Sequence, residues 1–142
     1  MMKTIPLTFL FTLLYFSTIT AQDYSIVGTW QATMDNETGK FIFDKKGYAT
    51  IDQGGEKIGG KKYKAKGLAL KVVYELNPTA DPKTLDFIIK KIEDDLEITR
   101  MVAIYKFVNE KILILNLNFS STERPERFDP DSPNQIVLHK MK

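Results

Sequence analysis

Leu68-Ala69-Leu70-Lys71-Val72-Val73-Tyr74-Glu75-Leu76 decides how this chain is read. Leu68, Leu70, Val72, Tyr74 and Leu76 fall on one face of an extended chain, and Ala69, Lys71, Val73 and Glu75 on the other. A period of two with one apolar face is the pattern of an antiparallel strand with one side against a core. Gly67 precedes the run, and Asn77-Pro78-Thr79-Ala80-Asp81-Pro82 ends it, because proline has no amide hydrogen to give to a ladder.

Working outward, the same grammar repeats. Residues 83–92 alternate again, with Leu85, Phe87 and Ile89 opposed to Thr84, Asp86 and Lys90. The acidic turn Glu93-Asp94-Asp95 leads to a strand over 98–108, and Asn109-Glu110 makes a tight connection to 111–119, where Leu113, Leu115, Leu117 and Phe119 share a face. On the N-terminal side, strands are expected over 26–34, 40–44, 48–52 and 56–66, separated by segments rich in glycine, asparagine and lysine. A polar loop over 120–134 carries three prolines and no periodicity, and 135–141 closes the chain. No helical period longer than about two turns occurs. Eight or nine short strands joined by short turns make a meander, and a meander of this size hides its edges by closing up. The expected fold is therefore all-β, an antiparallel up-and-down barrel of eight to nine strands. Its inward side chains are Trp30, Phe41, Phe43, Leu70, Val72, Tyr74, Leu85, Phe87, Ile89, Ala103, Tyr105, Leu113, Leu115, Leu117, Ile136 and Leu138. So many large residues leave a narrow cavity or none.

Composition bounds the function. With 142 residues, 43% of them hydrophobic and 27% charged, the chain suits one domain. A net charge of +2 gives no general drive towards nucleic acid. The absence of cysteine excludes a disulfide scaffold, a thiol nucleophile and a Cys-ligated zinc site. Residues 1–21 have the order of an export signal: Lys3, an apolar run over 7–16, then Ser17-Thr18-Ile19-Thr20-Ala21. A run of ten apolar residues is too short to span a bilayer, which needs roughly 20. Cleavage after Ala21 is expected, leaving residues 22–142 as one exported domain with no membrane span. Losing Lys3 takes the charge from +2 to +1.

Residues with chemical potential are few. Gly55-Glu56-Lys57-Ile58-Gly59-Gly60-Lys61-Lys62 approaches a phosphate loop, but Lys62 stands where serine or threonine would hold magnesium, and a β pattern follows instead of a helix. Lys57, Lys61, Lys62, Lys64, Lys66 and Lys71 form a basic cluster, with Lys62, Lys64 and Lys66 expected on one strand face; lysines there also guard a sheet edge. His139 has neither a nucleophile nor an orienting partner nearby in sequence. Asp94, Asp95 and Glu97 lack the spacing of a calcium loop, as do Asp129 and Asp131. Arg124 and Arg127 flank Pro125; around a barrel mouth they would clamp a carboxylate or phosphate, and otherwise they would fix the loop by bonding to carbonyls. Tyr74 and Tyr105 are phenols placed in the core, each in need of a hydrogen-bond partner.

Gly28-Thr29-Trp30, early in the first strand, resembles the opening signature of lipocalins, whose tryptophan closes the bottom of the barrel. Four segments in order extend the likeness: Gly28-Thr29-Trp30, the run from Tyr74-Glu75-Leu76-Asn77-Pro78 to Leu85-Asp86-Phe87, Ala103-Ile104-Tyr105, and Arg124-Pro125-Glu126-Arg127-Phe128. Together they resemble an uncharacterised family of secreted, lipocalin-like bacterial domains, with Asn77 where that family often has aspartate and Ala103 where it has glycine. The resemblance implies a lipocalin-like or calycin-like barrel, with Gly28 and Trp30 as its structural motif. By analogy of fold it implies a pocket for a small apolar or amphipathic ligand. Tyr74, Phe87, Tyr105, Leu115, Arg124 and Arg127 are the candidate contacts, in the interior or at its mouth. No catalytic group, metal ligand or cofactor is expected, and the domain is expected to be monomeric. The alternative is a filled barrel acting through its surface as an envelope interaction protein.

Overall fold

The computed structural model describes residues 24–34, 37–119 and 121–142. The expected export segment and its cleavage point lie outside them. Ten strands follow one another: β1 (Gly28–Met34), β2 (Glu37–Phe43), β3 (Ala49–Gln53), β4 (Glu56–Gly59), β5 (Tyr63–Ala65), β6 (Leu68–Asn77), β7 (Thr84–Lys91), β8 (Glu97–Asn109), β9 (Ile112–Asn118) and β10 (Gln135–Lys140). All pairings are antiparallel, in the order β4-β3-β2-β1-β10-β9-β8-β7-β6-β5. Every neighbour in the sheet is a neighbour in sequence except β1 and β10, which join the N-terminal and C-terminal runs at Trp30↔Lys140 and Gln31↔His139. Among the described residues there is no helix, and hence none long and apolar enough to cross a membrane.

The count of ten corrects the expected eight to nine. Residues 56–66 do not form one strand, because Gly59 and Gly60 both take positive φ, 104° and 76°, and turn the chain between β4 and β5. The lysine face falls with it: Lys64 lies on β5, whereas Lys62 precedes that strand and Lys66 follows it, in a turn at φ 52°.

That break also brings the ends of the sheet together. Gly60 donates its amide to Ala49 O at 2.7 Å and accepts from Val72 N at 3.0 Å, so one residue links β3 to β6. Nearby, Tyr48 bridges Val73, and Tyr74 N reaches Gly47 O at 2.9 Å. A Cβ on Gly59 would stand 2.5 Å from Ala49 O and 3.2 Å from Val72 Cγ2, so the approach admits only glycine. The barrel is nearly closed.

The inward faces fill it. Trp30, Phe43, Leu85, Phe87, Leu113, Leu115, Leu117 and Leu138 are wholly buried, and Phe41, Val72, Ala103, Tyr105 and Ile136 nearly so. Tyr74 and Ile89 are partly buried and pack against this cluster, as do Met101 and Phe107. Phe43 meets Tyr74 edge to face at 5.1 Å and Phe87 at 5.8 Å. At the end where β1 begins, the Trp30 indole donates to Ile26 O at 2.8 Å. Lys140 crosses above the Trp30 ring, its Nζ 5.5 Å from the centroid, and Gly28 leaves room for it: a Cβ there would lie 3.0 Å from Lys140 Cε. This is the local physics behind the Gly28–Trp30 motif.

A second buried layer lies outside the barrel. Asp86, Ile88, Val102, Ile104 and Asn116 point away from the interior, yet all are buried. The long connection from β9 to β10 is tied along this part of the wall, through Arg124 to Asp86 and through Asn116 Nδ2 to Arg127 O at 2.9 Å.

Candidate functional site

The six candidate contacts are not gathered in one place. Phe87 and Leu115 are sealed in the core, Phe87 between Phe41 and Phe43 at 6.1 and 5.8 Å. Tyr74 donates its phenol to Asp44 O at 2.7 Å, across the seam between β6 and the β2–β3 turn. Burial, then the nearby Asp44 charge, pushes that phenol above its ordinary ionisation range.

Arg124 and Arg127 stand on the outer wall, not around a barrel mouth. Arg124 forks onto Asp86, Nη1 to Oδ1 at 2.6 Å and Nη2 to Oδ2 at 3.1 Å, and Nη1 also reaches Ala103 O at 2.9 Å. Arg100 holds the same carboxylate from the other side, at 2.9 Å, and is itself held by Glu97 at 2.5 Å. Glu97, with Arg100 as hydrogen-bond donor, lies below the usual carboxylate range. A buried carboxylate gripped by two guanidiniums is satisfied, and its geometry is that of a fastening. Of the two readings of Arg124, the structure shows the one that fixes the loop. The Arg127 side chain is exposed, and its carbonyl serves Asn116.

Tyr105 is the candidate that lines a cavity. β8 runs on past the start of β7, which pairs Thr84 with Ile104, and the 78–83 segment covers the remaining edge through Tyr105 N to Lys83 O at 2.9 Å. Between these elements lies an open cavity of about 310 Å³, lined by Tyr24, Asp81, Pro82, Lys83, Tyr105, Lys106, Phe107 and Phe128. Phe107 is its aromatic hub, with ring centroids 5.6 Å from Tyr24, 6.0 Å from Tyr105 and 6.1 Å from Trp30. Lys106, outward on β8, holds its ammonium 4.4 Å above the Phe128 ring. A larger hollow of about 580 Å³ sits at the opposite end, lined by Glu37, Thr38, Gln53, Gly54, Glu56 and Ile58. Its single apolar wall residue is half exposed, so the aromatic cavity is the better home for an apolar ligand.

Sequence reading found Tyr105 but missed Tyr24, Lys83, Lys106, Phe107 and Phe128. Phe128 and Lys83 were within reach, since both stand inside quoted segments. The others come together only through the overhang of β8. Among the described residues no cluster of three or more His, Asp or Glu side chains gathers in metal-binding range. No family model, no curated protein and no solved structure matches the chain. The class that fold and site define is a filled, nearly closed antiparallel β-barrel with a side cavity at one end.

Proposed function

We propose that this protein is an exported, lipocalin-like barrel that binds a small amphipathic molecule without covalent chemistry, at the cavity beside the barrel end. One observation carries the reading: the roughly 310 Å³ hollow has Tyr24, Tyr105, Phe107 and Phe128 for walls and a lysine at its rim. Cavities of this size, with aromatic walls and a few placed polar groups, suit small ligands. The likeness to secreted lipocalin-like domains supports the reading too. Asp81, Pro82, Lys83, Tyr105 and Phe128, which belong to three of the segments that carry it, all line this hollow. The binding place differs from a lipocalin's, because the interior is occupied by Phe43, Phe87, Leu115 and Leu117.

Native mass spectrometry of protein recovered from an exporting host tests this. An adduct of defined mass that leaves on denaturation, and that is lost in Tyr105→Ala, is the expected result. A bare mass that persists after incubation with total lipid extract sinks the reading. The same spectrum reports whether the chain begins at Gln22.

A filled core favours a second reading, a barrel that works through its surface. Ile58, Leu68, Ile92, Leu96, Ile98 and Phe119, six of the ten exposed large hydrophobics among the described residues, lie at the end away from the cavity. Leu96→Asp abolishing co-purification of a partner, with the adduct unchanged, would favour it.

A further inference from the structure

We infer that the cavity selects ligands carrying a carboxylate, with Lys106 as the group that reads the charge. The inference rests on the proposed binding function and adds the chemical class of ligand. Lys106 stands on the outward face of β8, between two inward residues, Tyr105 and Phe107, that belong to the same cavity. Its ammonium is therefore at the rim, while the rings form the floor. Among the described residues no carboxylate lies within ion-pair distance of Lys106, and its partner is the Phe128 face at 4.4 Å. By contrast Lys71 and Lys90 share Asp95, at 2.6 and 3.6 Å. Lys106 is a cation placed over an aromatic wall with no anion of its own. A ring face attracts an ammonium but leaves its remaining hydrogens directed elsewhere.

A molecule with an apolar body and a terminal carboxylate meets both halves of this arrangement. The chain or ring system lies against Phe107, Tyr105 and Tyr24, and the carboxylate accepts a charge-assisted hydrogen bond from Lys106.

The test is calorimetric titration of the purified protein with dodecanoate and with dodecan-1-ol, both below micelle-forming concentrations. Dodecanoate should bind about tenfold more tightly than the alcohol, the difference one hydrogen bond to a charged group makes. Lys106→Gln should remove that preference, bringing the two ligands to equal affinity. Lys64→Gln, which removes the same charge from exposed β5, should leave the preference intact. Equal binding of the two ligands by the native protein, or a preference that survives Lys106→Gln, overturns the carboxylate inference while the binding function stands. Binding of neither ligand overturns both.

Discussion

Gly59, Gly60 and Tyr74 meet at the seam of the barrel: Gly60 bonds through its backbone, Gly59 permits the close approach, and Tyr74 bonds through both its amide and its phenol. At Gly59 a methyl group would press within 2.5 Å of the Ala49 carbonyl on a backbone already at φ 104°. Gly59→Ala should therefore lower the stability by roughly 2–4 kcal/mol, read as a fall in the urea midpoint at unchanged slope. Tyr74→Phe removes only the bond to Asp44 O and should cost about 1 kcal/mol. Its pH signature is more specific. Burial first, and Asp44 second, raise the Tyr74 phenol above 10.0, so the folded state resists ionisation more than the unfolded chain does. The stabilisation is complete below pH 10.0 and is lost as pH rises through the folded value. Tyr63, raised by burial alone, adds to the same alkaline loss. Stability measured from pH 8 upward should fall above about pH 10 in the native protein and less steeply in Tyr74→Phe. An equal fall in both would remove Tyr74 from the account. The phenol's need for a partner was legible in the sequence. The partner was not, being a backbone carbonyl 30 residues away.

At the scale of elements, alternation in the strands carried most of the information. Every residue expected to face inward is buried or packs against the core, from Trp30 on β1 to Leu138 on β10. The pattern erred where glycine decides geometry, at Gly59-Gly60, because a lysine-rich run with little apolar periodicity cannot reveal where it turns. It was silent on the loop after β9, which has no periodicity to read and takes its form from Asp86. That aspartate looked like an outward polar position and is 7% exposed. Arg124→Ala should destabilise the protein by about 1–3 kcal/mol, towards the lower figure because the guanidinium is one-third exposed. Arg124→Lys should recover little, since an ammonium cannot fork onto both oxygens. A double-mutant cycle with Asp86→Asn should show strong coupling, and proteolysis between β9 and β10 should quicken in the variant. Additive costs would mean that the loop is held elsewhere.

Over the whole molecule, stability should be uneven. β8 and β9 are paired on both sides by long ladders, and β9 carries the wholly buried Leu113, Leu115 and Leu117, whereas β4 and β5 are short, at most partly buried and paired on one side. Native-state hydrogen exchange should find amides of β4 and β5 opening first and those of β8 and β9 only on global unfolding. The reverse order would mean that the seam is stronger than its few bonds suggest.

The position of β10 has a further consequence. It lies between β1 and β9, so among the described residues the ladder joining β1–β4 to β5–β9 runs through the strand made after all the others. While the chain is being made, β1 lacks its second neighbour and Trp30 is unroofed, since Lys140 arrives with β10. The two halves cannot meet across β1 until the last residues are present, and such distant pairing is slow to find. A polypeptide built this way can complete its sheet only once β10 has been made.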